Sequence, residues 1–241
     1  MIYFRKINKI QAISFDLDDT LYDNFPYIVE AEKALKIFLR KNYPVCKNVP
    51  QGFWFKQKKQ VLLKQPKLKN DMGQLRKHTL LNGFAELGYR GTSLKNAAEE
   101  SFRYFYYERS NFKVDKTICS LLSKLAEIVP LVAITNGNVD LKQIGIEEYF
   151  QACYQSNVDQ PMKPHSSMFD AAKSYLQVEA HNILHVGDNL QKDVGGAIQA
   201  GFKSAWYAYG RPMNINDETP SLLPDIQLDG LQELLTIIDK A

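Results

Sequence analysis

Short apolar runs that stop at polar residues mark the strands this chain is expected to form. They are Ala12–Phe15, Leu131–Ile134 and Ile183–Val186, with looser runs near Cys153–Tyr154 and Ala205–Tyr207. Between them apolar residues recur at helical spacing, as in Ile118, Leu121, Leu122 and Leu125, or Met168, Ala171, Ala172 and Leu176. Strands alternating with helices predict an α/β fold, a doubly wound parallel sheet with helices on both faces. One segment breaks the alternation. From about Asp23 to Asn111 no strand pattern occurs, while Ile28–Leu39, Met72–Leu87 and Leu94–Glu108 read as helices. Thr92 or Ser93 is the expected N-cap of the last, and Gly83 weakens the second. The expected organisation is a core of residues 1–22 and 112–241, interrupted by an all-helical insertion of residues 23–111. Asn214–Pro224 reads as a surface loop.

Composition narrows the function classes. With 45% hydrophobic and 24% charged residues in 241, the chain has the makings of an ordinary globular core. A net charge of +3 fits a small anionic substrate and argues for neither nucleic acid nor a membrane surface. Cys46, Cys119 and Cys153 form no CxxC pair, which points to a reducing compartment rather than to zinc or disulfides. The opening MIYFRKINKIQAISFD breaks its apolar residues with charge, and no run approaches the ~18 apolar residues of a membrane span. A soluble cytoplasmic protein is expected, without nucleic-acid or membrane partners; the oligomeric state is not legible. Lys56, Lys58, Lys59, Lys64, Lys67 and Lys69 read as a solvated face, and Arg76, Lys77 and His78 as surface. Phe102, Phe105 and Tyr106 read as packing residues, and His185 as a buried, hydrogen-bonded imidazole.

In an open parallel sheet ligands bind beyond the carboxyl ends of the strands, so the residues just past each strand matter most. The first strand runs into Asp16-Leu17-Asp18-Asp19-Thr20, three acids in four residues that repel one another unless a cation or proton intervenes. Asp16 and Asp18 project the same way in an extended segment, one suited to attack phosphorus and the other to shuttle a proton. An acidic turn explains that motif equally well. The second strand ends at Thr135-Asn136-Gly137, a hydroxyl and an amide fit for phosphate oxygens, or a simple Asn-Gly turn. Lys163-Pro164 offers a restrained cation, or an exposed loop lysine. The third strong strand leads into Gly187-Asp188, where a metal ligand would sit. Asp193 beyond it completes the acidic cluster, orients Lys163, or caps a helix.

Together these strand ends resemble the haloacid dehalogenase-like superfamily of phosphohydrolases. Asp16-x-Asp18-x-Thr20 is similar to its motif I, Thr135 to motif II, Lys163 to motif III, and Gly187-Asp188 with Asp193 to motif IV. The resemblance implies a Rossmann-type core with the helical insertion as a cap of the C1 kind. It implies Asp16 as nucleophile, Asp18 as general acid–base, and phosphoryl binding by Thr135, Asn136 and Lys163. Mg²⁺ is then held by the carboxylates of Asp16 and Asp188 and the backbone carbonyl of Asp18, with Asp193 behind them. A small phosphate ester is the implied substrate. FDLDDTLYDN, PLVAITNGN and ILHVGDNLQKDVGGAIQAG are moreover similar to bacterial phosphatases of riboflavin metabolism. These act on 5-amino-6-(5-phospho-D-ribitylamino)uracil and on flavin mononucleotide (FMN). Another nucleotide or sugar phosphate, a sugar phosphomutase, which shares the DxD pair, and a non-catalytic binding protein are the alternatives. A dehalogenase resembles the pattern without Asp18.

Overall fold

The computed structural model describes residues 1–7, 9–218 and 222–239. Its strands are β1 (Ile2–Tyr3), β2 (Ala12–Phe15), β3 (Leu131–Thr135), β4 (Ala152–Gln155), β5 (Ile183–Gly187), β6 (Lys203–Trp206) and β7 (Ile226–Gln227). They form one sheet in the order β1-β7-β6-β5-β2-β3-β4, parallel throughout except where β1 meets β7. Central β2 lies between β3 and β5, with Ile13 opposite both Leu131 and Leu184. Every residue of β2, β3 and β5 is buried, because helices cover both faces. That explains why these strands read as mainly apolar runs, the polar residues inside β2 and β5, Ser14 and His185, being paired with each other.

Alternate strand residues feed two cores. Ile13, Phe15, Leu131, Ala133, Leu184 and Val186 pack on α5 (Lys116–Ile128) and α7 (Glu233–Asp239). Ala12, Val132, Ile134 and Ile183 pack on Met168, Phe169 and Ala172 of α6 (Ser167–Leu176) and on Ala197. Leu122 and Leu125 are wholly buried at the helical spacing seen in the sequence, each contributing about 1.5–3 kcal/mol by leaving water.

Between β2 and β3 the chain is helical: α1 (Phe25–Asn42), α2 (Phe53–Lys64), α3 (Met72–Glu86) and α4 (Gly91–Arg109). These helices gather their own apolar cluster, including Leu35, Leu39, Phe84, Ala98 and Phe105. Gly83 is there for packing: a Cβ would overlap the Trp54 ring. One expectation needs correction. α4 starts before Thr92 and Ser93, with Arg90 at the N-cap position and Ser93 Oγ donating to the Arg90 carbonyl. α2 falls within the stretch expected to be helical, and all six lysines of the solvated face are exposed. Of the Asn214–Pro224 loop, residues 219–221 lie outside the described residues, and the rest is neither helix nor strand. Among the described residues no helix is long and apolar enough to cross a membrane.

Candidate active site

The parallel register brings the carboxyl ends of β2, β3 and β5 to one edge, and the acids with them. Asp16 comes directly after β2, its backbone N–H donating to the Val186 carbonyl at 2.8 Å. Of the three acids in this motif, Asp19 serves the backbone. It adopts φ 62°, a left-handed conformation that Asp tolerates better than most residues. Its carboxylate then accepts from the Asn24 N–H at 2.9 Å. That turn leaves Asp16 and Asp18 on the wall of the same cavity. Thr20 Oγ1 reaches Asp16 Oδ2 at 3.4 Å. Asp18 Oδ1 accepts twice, from Tyr22 OH at 2.7 Å and from Arg109 Nη2 at 2.6 Å.

Thr135 ends β3 and is buried, its Oγ1 accepting from the Gly137 N–H at 3.0 Å. Gly137 is needed for close approach, since an added Cβ would stand 2.5 Å from Asp18 Oδ2. Asn136 does something its sequence context does not suggest. Its Oδ1 accepts from the Lys163 N–H at 2.8 Å and its Nδ2 donates to the Lys163 carbonyl at 3.1 Å. The amide therefore ties two strand-end loops together. Lys163 is no loop lysine in solvent. It is 3% exposed, and Nζ donates to Asp16 Oδ1 (2.6 Å), Asp193 Oδ1 (2.6 Å) and the Ile134 carbonyl (2.5 Å). Those three bonds use all its donors.

Asp188 comes directly after β5, with its backbone carbonyl fixed by Trp206 Nε1 at 2.7 Å and Arg211 Nη2 at 3.1 Å. Asp193 lies in a π-helical turn, Leu190–Gly195, started by Asn189, whose side chain accepts from the N–H groups of Gln191 and Lys192. Besides Lys163, Asp193 accepts from the Asn189 N–H at 3.0 Å and lies 3.3 Å from His185 Nε2. His185 Nδ1 in turn meets Ser14 Oγ at 2.8 Å, so this histidine is buried and satisfied. Gly187 makes room for Asp193, which any Cβ there would overlap.

Asp16, Asp188 and Asp193 can each bring a carboxylate oxygen within 4.8 Å of the others. Lys163 is bonded to two of them and Arg211 stands 4.0 Å from the third, so three carboxylates face two cations. The consequences differ by position. Burial holds the Asp16 carboxyl well above its usual range; Lys163 opposes this, and the charges of Asp193 and Asp188 add to it. Burial and the neighbouring Asp193 and Asp19 push Asp188 up to about 7. Asp193 meets the same burial, but Lys163 and His185 outweigh it and hold it below the usual carboxylate range. A buried cluster of hard oxygen donors with unresolved repulsion suits a divalent cation that prefers oxygen, as magnesium does.

The acids form the floor of a cavity of about 820 Å³. Its far walls come from α1 to α4, among them Ile28, Trp54, Lys58, Leu75 and Phe105. Arg76, expected at the surface, is half-buried on this wall, paired with Glu32 and with its guanidinium 3.6 Å from the Phe105 ring centre. Lys77 and His78 are also half-buried, Lys77 in a pair with Glu99. Phe105 is packing core as expected, whereas Tyr106 lines a separate shallow groove beside β4. Sequence reasoning missed Tyr22 and Arg109. Tyr22 lies four residues after Asp18, but Arg109 looks like an ordinary basic residue in the last turn of a helix.

Comparison with known proteins agrees with this geometry. The sequence profile of the haloacid dehalogenase-like hydrolases matches residues 10–201. The 5-amino-6-(5-phospho-D-ribitylamino)uracil phosphatase YigB of Escherichia coli (strain K12) is 31% identical over 241 residues, covering 99% of this chain and 100% of that one. A crystal structure of a 2-haloacid dehalogenase from Pseudomonas syringae pv. tomato DC3000 superposes with a TM-score of 0.88 at 31% identity, over 96% of this chain and 99% of that one. The HAD-hydrolase YfnB of Bacillus subtilis, solved with magnesium, shares the fold at a TM-score of 0.62 and 19% identity, over 96% and 100% of the two chains. With its motif residues gathered at one sheet edge and the family profile matched over most of its length, this chain belongs to the haloacid dehalogenase-like hydrolase family.

Proposed function

We propose that the enzyme hydrolyses small phosphomonoesters through a phosphorylated Asp16, with Mg²⁺ as cofactor. Its substrate in the cell is 5-amino-6-(5-phospho-D-ribitylamino)uracil, with FMN as a second one, and it works in the cytoplasm. The observation that carries the chemistry is the cluster itself: two carboxylates tied to one buried lysine, a third beside them, all flooring a cavity. The substrate assignment is supported by the full-length likeness to YigB.

Lys163 holds Asp16 by Oδ1, which leaves Oδ2, met only by the long 3.4 Å bond from Thr20, as the attacking oxygen. Attack in line on phosphorus forms the Asp16–phosphorus bond and breaks the ester P–O bond. Asp18 gives its proton to the departing alkoxide oxygen. In the second half Asp18 takes a proton from water, the water oxygen attacks phosphorus, and the Asp16–phosphorus bond breaks. Thr135 Oγ1, which accepts from the Gly137 N–H, keeps its own hydrogen to donate to a phosphoryl oxygen; Lys163 supplies positive charge from its bond to Asp16, and Asn136 braces the Lys163 loop. Asp16, Asp188 and the Asp18 backbone carbonyl would hold Mg²⁺, with Asp193 set behind them on Lys163 and His185. When bound, the ion supplies charge neutralisation to the acids and to the phosphate. Residues 23–111 act as the cap, their helices closing the cavity over residues 1–22 and 112–241.

Asp18 supports phosphate chemistry over dehalogenation, because a departing alkoxide needs a proton and a departing halide does not. The deciding experiment measures phosphate release from a panel of phosphorylated metabolites with Mg²⁺. The ribitylamino-uracil phosphate is expected to give the highest kcat/KM. If it is hydrolysed no better than sugar phosphates, the substrate assignment falls while the phosphatase chemistry stands. Isomerised ester in place of free phosphate indicates a mutase, and no release from any ester indicates a binding protein.

Metal removal gives a second expected outcome. Mg²⁺ should raise the melting temperature of chelator-treated protein, by mass action on the folded state. Asp188→Asn should abolish that shift. A variant that still responds to Mg²⁺ as strongly as the wild type would remove Asp188 from the ligand set.

A further inference from the structure

Arg109 is a costly residue to place where it stands. It ends α4, the last helix of the insertion, 91 residues along the chain from Asp18, and is 2% exposed. Burying a guanidinium costs several kcal/mol unless its donors are met. Nη2 is met by Asp18 Oδ1 at 2.6 Å, but Nη1 is buried on the cavity wall without a hydrogen-bond partner among the described residues. A charge left half-satisfied in this way adds little to stability, so its position has another cause.

The pattern at Asp18 supplies one. Tyr22 OH and Arg109 Nη2 converge on the same oxygen, Oδ1. The other oxygen, Oδ2, points at Gly137, the residue whose missing Cβ leaves it room. One carboxylate oxygen is therefore clamped by two donors, and the second is left free on the side of Thr135 and the phosphoryl site. A carboxylate that must pass a proton within hydrogen-bond reach benefits from such restraint.

We propose that Arg109, with Tyr22, is a positioning residue for the acid–base step: it fixes Oδ1 so that Oδ2 carries the proton to and from the reacting oxygen. Because Arg109 arrives from the insertion, seating α4 against the core and aiming Asp18 are one event. This inference rests on the assignment of Asp18 as the proton donor, so the test must separate the two.

The test compares kcat/KM, which reports steps through phosphoryl transfer, for an aliphatic phosphate ester and for p-nitrophenyl phosphate. The nitrophenolate departs without needing a proton. Arg109→Gln should lower the aliphatic value by about 10- to 100-fold and the nitrophenyl value by less than about threefold, a share of the ~10²–10⁴-fold that general acid catalysis contributes. Arg109→Lys, which keeps a charged donor, should restore part of the loss. Tyr22→Phe should show the same selectivity on a smaller scale. Asp18→Asn is the control. If it shows the leaving-group selectivity and the Arg109 variants lose equally on both esters, Arg109 binds phosphate or supports the fold, and the proposal is overturned. If Asp18→Asn itself shows no selectivity, the acid–base assignment is what fails. Where Arg109→Gln does not fold, the Lys and Phe variants decide: selective loss supports the proposal, and uniform or absent loss overturns it.

Discussion

Asp16→Asn should abolish phosphate release while leaving the protein folded. An amide is not a nucleophile at phosphorus, so kcat should fall on the order of 10⁴-fold or more, as when other enzymes lose a nucleophile. The fold should tolerate the change, because Asn keeps the side-chain shape and the oxygen that Lys163 bonds at 2.6 Å. It also removes one buried negative charge from a cluster with too many. The melting temperature in the absence of metal should therefore be equal to that of the wild type or higher. Substantial activity in a folded Asp16→Asn protein would end the covalent account.

The second large effect is expected at Lys163, and there the loss reaches stability as well. Lys163→Met leaves Asp16 and Asp193 without their shared cation and the Ile134 carbonyl without its donor. Breaking a buried ion pair by removing one partner costs about 3–5 kcal/mol. For a chain of this size that lowers the melting temperature by roughly 10 °C, at ~2–4 °C per kcal/mol. The pH dependence has a definite sign. Asp193 is held below its usual range in the wild type, so its contribution is present above the unfolded carboxylate range and is lost as the pH falls. Without the lysine that contribution disappears. The gap between wild type and variant should be widest near neutral pH and narrow as acid protonates the stranded carboxyls. A gap that stays constant with pH would mean that Lys163 acts through packing alone.

The strands that carry the site were legible because they are buried on both faces, which writes them as apolar runs ending at the chemistry. Thr135 and Gly187 close β3 and β5 one residue later than expected, a shift that does not move the motifs. The bounds of helix α2 were not legible, since its buried positions Phe53, Gln57 and Val61 include a glutamine and stand among exposed lysines. Gln57 is buried because it donates to Glu86 and accepts from Asn82. Such pairing across helices leaves no local trace. The same limit hid Arg109, which finds Asp18 only through tertiary packing. Asn136 shows the reverse case: its place at the strand end suggests an amide for phosphate oxygens, but both amide atoms hold Lys163's backbone. Local pattern locates strand ends, whereas the partner of each polar group depends on which loops the sheet brings together.

The central claim is that Asp16 carries the phosphoryl group between ester and water. It is tested most directly by acid-quenching the enzyme during turnover of a radiolabelled phosphate ester and mapping any label on the protein. The account predicts acid-stable, hydroxylamine-labile label on the peptide containing Asp16, absent from Asp16→Asn. Turnover with no protein-bound label at any quench time, or label on another residue, would contradict it.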